Sequence, residues 1–128
     1  MARFLSTKAH GAIDYLSAAM LVAGPRVLGW NPRLVSALDV LAGATVAYSL
    51  LTDYELGVLR ILPLPAHFAL DGANALTTLA LPALPGIEDS RIAGCLVAVA
   101  VFETAVTVST QTESSAKRGA PIPDGARM

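Results

Sequence analysis

Two histidine–aspartate pairs are the residues most able to do chemistry in this chain. His10 and Asp14 stand four residues apart, and His67 and Asp71 repeat that spacing 57 residues later. Ser17 follows the first pair by three residues, and Asn74 follows the second by the same step. On a helix, positions i, i+4 and i+7 share one face, so each set forms a polar stripe. Imidazole nitrogens and carboxylate oxygens at one depth suit Zn²⁺ or another divalent ion. The same groups can relay protons, because histidine titrates near neutral pH. Two facing histidines can also bracket a haem, although an aspartate one turn on would crowd a porphyrin with charge. The plainest role is a latch, in which the pairs satisfy each other and hold helices together. Glu103 is a further acid that can join them from a later segment.

The stripes sit in an internal repeat. Between residues 10–29 and 67–86, seven of twenty aligned positions are identical: His, Ala, Asp, Ala, Ala, Pro and Gly. A repeat on this scale marks duplication of one supersecondary unit. Each unit has a helix, a turn and a second helix. Two such hairpins run parallel and should be related by a pseudo-two-fold axis, which turns the stripes towards each other.

Composition sets the surroundings. The 128 residues are 54% hydrophobic and 15% charged, where soluble domains carry about 25% charged residues. Mean hydropathy is +0.57. A net charge of −1 gives no footprint for nucleic acid. The lone Cys95 excludes an intrachain disulfide and lies among apolar neighbours, which suits an inert thiol. With no Gly-rich phosphate loop either, the expectation is a non-enzymatic role.

Four apolar stretches appear, from about Thr7 to Leu28, Leu34 to Leu51, Pro65 to Leu84 and Arg91 to Ser109. Each is long enough for a hydrocarbon core of roughly 30 Å at about 1.5 Å per residue. Each holds one acid: Asp14, Asp39, Asp71 or Glu103. The spacing therefore predicts an all-α, four-span transmembrane helical bundle built from two tandem parallel hairpins. Its transmembrane domain covers 1–112, with repeat one at 7–55 and repeat two at 64–112, and 113–128 reads as a disordered polar tail. Ser6 or Thr7 caps the first helix, and Pro25 and Pro82 bend or break helices near their ends. Thr52-Asp53-Tyr54-Glu55 has capping-box spacing and predicts a short interfacial helix over Tyr54–Leu62. Asp39 has no evident partner except Arg33, Arg91 or the interface.

Even parity puts both termini on one side. Arg3, Lys8, Arg60, Lys117, Arg118 and Arg127 lie there, against Arg26, Arg33 and Arg91 opposite. That bias places both termini in the cytoplasm. Lipid is the expected partner. Gly11, Gly24, Gly43, Gly72 and Gly94 suit close helix packing, and small-residue faces also suit a homo-oligomer.

The His-x-x-x-Asp start, a proline near the helix end, a short loop and a second span resemble small bacterial membrane proteins with SPW repeats. Gly24-Pro25-Arg26 and Leu81-Pro82-Ala83 occupy the place of the Ser-Pro-Trp element and keep only its proline. Thr52 to Gly57 and Pro63 to His67 are also similar to that group. The resemblance covers residues 4 to about 112. It implies a multi-pass protein of the bacterial cytoplasmic membrane and carries no activity.

Overall fold

A computed structural model describes residues 2–119. It is all-helical, with no strand among the described residues. Helix α1 spans Thr7–Val27, α2 Pro32–Leu51, α3 Leu64–Ala80 and α4 Ser90–Ser109. A single 3-10 turn at Leu81–Ala83 follows α3, and a one-turn helix α5 covers Ser115–Arg118. Of the segment read as a polar tail, residues 113–119 are described, and 120–128 lie outside the described residues. Within it Lys117 meets Asp53 at 2.7 Å.

Local chemistry sets the helix ends, and it does so twice. Ser6 caps α1 by accepting from Ala9 N–H at 3.1 Å. Pro25 lies inside α1, and the helix runs on to Val27. It then closes in a Schellman motif. Trp30 N–H bonds to the Pro25 carbonyl, Gly29 N–H bonds to the Arg26 carbonyl, and Gly29 adopts φ 67°. Gly86, its repeat partner, adopts φ 87° beyond Pro82. Asn31 and Asp89 then cap α2 and α4 through equivalent side-chain bonds of 2.8 Å. One extra residue between Gly86 and Asp89 shifts the repeat offset from 57 to 58 for the second helices.

Each hairpin is latched to the other. Leu5 pairs with Thr110, and Leu62 pairs with Thr52, as isolated parallel bridges. Leu5 N–H bonds to the Ser109 carbonyl, and Leu62 N–H bonds to the Leu51 carbonyl. The start of each repeat is thereby tied to the end of the other. Residues 5 and 110 lie at the same end of the bundle.

The segment 52–63 is not the helix that its capping-box spacing suggests. It is an irregular loop folded onto the end of α2, where Val58 and Leu59 N–H reach the Leu50 carbonyl. Thr52 cannot cap a helix because its hydroxyl is committed to the Tyr48 carbonyl. Gly57 is required there, since a Cβ would come within 1.7 Å of the Thr52 carbonyl oxygen. Asp39 finds a partner that the sequence reading did not name. Arg26 grips it with two bonds of 2.7 Å across the α1–α2 hairpin.

The interior has two zones. Ala18, Leu21, Leu34, Leu38, Ala42, Leu81 and Leu96 form an apolar core towards the α1–α2 turn. The other end is polar, with Thr7, His10, Asp14, Ser49, Thr52, His67, Asp71 and Thr110 all buried. Large apolar side chains such as Leu16, Met20, Val40, Leu76, Val101 and Phe102 are exposed. By length and composition, α2 and α4 are able to cross a membrane. Helices α1 and α3, which carry the stripes, fall short of that measure.

Candidate metal centre

The two stripes meet. His10 Nε2 lies 3.2 Å from His67 Nε2, with the rings edge-to-face at a centroid distance of 5.2 Å. Asp14 reaches His10 Nε2 with Oδ1 at 3.3 Å and His67 Nε2 with Oδ2 at 3.1 Å. Asp71 Oδ2 reaches the same two nitrogens at 3.0 and 3.4 Å. All four side chains are buried, and one ligand atom from each falls within a 4.8 Å span.

Two threonines fix the imidazoles. Thr110 Oγ1 is 2.7 Å from His10 Nδ1, and Thr52 Oγ1 is 2.8 Å from His67 Nδ1. Each hydroxyl also lies 2.6 Å from the carbonyl one turn back, on Val106 and Tyr48 respectively. A hydroxyl has one proton, and a carbonyl can only accept it. Both threonines therefore give that proton to the backbone and accept from the imidazole. Nδ1 carries the hydrogen in both rings, and each Nε2 is turned towards the centre. In neutral rings, two nitrogen lone pairs then face one another at 3.2 Å beside two carboxylates. An arrangement of this kind calls for positive charge between them.

The carboxylates are held in turn. Ser49 donates to Asp14 Oδ2 at 3.2 Å, and the Thr107 hydroxyl lies 3.3 Å from Asp71 Oδ2 and 3.0 Å from the Glu103 carbonyl, with one proton to share between them. Tyr48 donates to Asp71 Oδ1 at 2.8 Å. Tyr54 closes the inner end, with its ring 5.4 Å from that of His67. Burial pushes its phenol pKa up. The ring rests on Gly11, where a Cβ would come within 2.6 Å of it. Gly11 is thus needed so that Tyr54 can lie over the site.

The remaining residues expected at the site lie one turn deeper. Asn74 donates to Thr45 Oγ1 at 3.1 Å and does not touch the centre. Ser17 and Glu103 line a cavity of about 20 Å³ floored by Asp14 and Asp71. Glu103 Oε2 is buried there with no hydrogen-bond partner among the described residues.

Sequence reasoning missed Ser49, Thr52, Thr107 and Thr110. A signal for them exists. With the offset moved to 58, Ser49-x-x-Thr52 matches Thr107-x-x-Thr110 at the ends of both second helices. A haem does not fit the pair of histidines. Their Nε2 atoms are in contact, and the carboxylates fill the plane a porphyrin would need.

Comparison with protein-family models, with curated proteins and with solved structures finds no match for this chain.

Proposed function

We propose that this chain is a four-span membrane protein whose paired His–Asp centre binds one divalent metal ion, with Zn²⁺ the best fit. The carrying observation is the donor set itself. Two imidazole nitrogens and two carboxylates converge, with one ligand atom from each within 4.8 Å of the others, and both histidines are held in the tautomer that leaves Nε2 for a metal. A tetrahedral Zn²⁺ with bonds of about 2.0–2.1 Å separates neighbouring ligand atoms by roughly 3.3–3.4 Å. The observed N–N and N–O separations run from 3.0 to 3.4 Å, with Asp14 turning Oδ1 to one ring and Oδ2 to the other, and a bound ion would draw the four-atom set in from its 4.8 Å span. Hydrogen bonding of the distal nitrogen to an oxygen acceptor is the usual outer support of a metal-bound histidine, and Thr52 and Thr110 supply it here. Two carboxylates and two neutral imidazoles balance a doubly charged ion, so the loaded centre leaves no net charge in a low-dielectric interior.

The distribution of polarity supports the membrane setting. Polar side chains fill one end of the interior, while large apolar ones face outwards along the helices. Only 17% of the apolar window of α4 is buried, whereas the core helix of a soluble protein would be mostly buried. Val58, Leu59 and Ile61 are exposed on the 52–63 loop, a suitable contact with a membrane interface. The Lys and Arg bias of the sequence fits four spans in a bacterial cytoplasmic membrane with both termini inside. No enzymatic step is assigned.

Metal analysis of the full chain purified in detergent tests the reading. About one zinc per chain is expected after loading and chelator-free washing, and His67→Ala should abolish it. Absence of stoichiometric metal from the wild-type protein would overturn it. The membrane setting is tested separately. The protein should stay with alkali-washed membranes and require detergent, and a chain that remains soluble without detergent contradicts that part.

A further inference from the structure

The two halves of the centre are not equivalent, and the difference lies around one cavity. With the 58-residue offset, Thr45 corresponds to Glu103 and Tyr48 to Val106, and with the 57-residue offset Asn74 corresponds to Ser17. On the α2–α3 side, the Tyr48 hydroxyl caps Asp71, and Asn74 bonds to Thr45. That side is sealed by side chains. On the α4–α1 side, Val106 has no hydroxyl to offer Asp14, and Ser17 is shorter than Asn74. The cavity of about 20 Å³ lies between the two sides, with Thr45, Tyr48 and Asn74 on one wall and Ser17, Glu103 and Val106 on the other. A groove of about 330 Å³ lies outside it and shares Ile13, Ser17, Phe102 and Glu103 as walls.

A cavity needs about 10–15 Å³ and two to four polar partners to hold a water. This one meets both conditions. Its polar walls include Asp14, Asp71, Ser17, Thr107 and Glu103. Glu103 Oε2 is a buried polar atom with no hydrogen-bond partner among the described residues, and such an atom calls for a water or an ion. Building on the metal reading above, we infer that the cavity holds one water, bonded to Glu103, that occupies an open coordination position of the metal. The water is then a fifth ligand beside the four protein donors, so the ion departs from the tetrahedral arrangement of a closed structural site. Glu103 is then a positioning residue that holds a water-sized oxygen ligand beside Asp14 and Asp71.

Co²⁺ loaded into the full-length protein in detergent provides the readout. Wild type should give the weak visible absorption of a five-coordinate ion. Glu103→Leu removes the acceptor, and Ser17→Val fills the cavity from the opposite helix. Both keep all four protein ligands, and both should raise the absorption several-fold as the ion becomes four-coordinate. Glu103→Gln keeps a hydrogen-bonding group and should stay close to wild type. A wild-type spectrum that is already four-coordinate and unchanged in the variants overturns this inference and leaves the metal centre standing. Failure of wild type to bind Co²⁺ overturns the metal centre and this inference with it.

Discussion

Thr110→Val is the sharpest test of how the imidazoles are held. Valine matches threonine in shape but has no hydroxyl. The variant removes the 2.7 Å acceptor of His10 Nδ1 and leaves the packing around it. Two losses follow. The Nδ1–H becomes a buried donor without a partner, which costs about 1–3 kcal/mol of stability. The ring is also freed to rotate or to change tautomer, so Nε2 no longer stays turned towards Asp71 at 3.0 Å. Outer partners of metal-bound histidines usually contribute 10–100-fold in affinity. At about 1.4 kcal/mol per tenfold, that is roughly 1.4–2.8 kcal/mol. Thr52→Val should behave in the same way, because it stands in the same relation to His67. The double variant should lose less than the sum, since both rings share one ion. Thr110→Ser keeps the hydroxyl and should retain most of the affinity. Zinc affinity is measured by competition with a chromophoric chelator, and folding is followed by circular dichroism. A folded Thr110→Val protein with wild-type zinc affinity would refute the reasoning.

Gly11→Ala should destabilise the fold by about 1–3 kcal/mol, because its methyl would press into the Tyr54 ring. Thermal unfolding in detergent checks this, and an unchanged midpoint counts against the packing described. Gly57→Ala should be more severe and should weaken zinc binding as well, since its Cβ meets the carbonyl of Thr52, the residue that holds His67. Expression level and zinc affinity together report it. Tyr48→Phe removes a hydrogen bond to a carboxylate, an interaction of about 1.5–3 kcal/mol, and should lower stability while keeping the ligand set. An undiminished unfolding midpoint would mean that the Tyr48–Asp71 bond contributes little. Zinc loading should release protons from a weakly buffered solution, because metal ligands bind in their deprotonated form. A pH indicator detects this, and His67→Ala should abolish the signal.

How far the sequence speaks can be judged residue by residue. The i, i+4 spacing of His10–Asp14 and His67–Asp71, together with the repeat, is enough to place four groups on facing stripes. Contact between them then follows from the parity of two hairpins. Glu103 is also legible, as the one acid in the last apolar stretch. The supporting hydroxyls are harder to see. Ser49, Thr52, Thr107 and Thr110 look like ordinary membrane-helix residues until the one-residue insertion before Asp89 is allowed for. Tyr54 and Thr52 mislead for a different reason. Their local pattern suits a helix start, but tertiary bonds to His67 and the Tyr48 carbonyl outweigh that weak propensity. The Arg26–Asp39 pair depends on the depth of the α1–α2 turn, which the Schellman motif at Gly29 sets. Broken symmetry at Val106, Glu103 and Ser17 shows in the sequence only as unremarkable mismatches, and its consequence is the cavity.

X-ray absorption at the zinc edge of the loaded, full-length protein tests the central claim most directly. The account predicts a shell of nitrogen and oxygen only, at about 2.0–2.1 Å, with the outer scattering of two imidazole rings. His10→Ala and His67→Ala should each leave the protein without bound zinc and so without that signal. A sulfur shell from Cys95, or a zinc ion with no imidazole scattering, would contradict it.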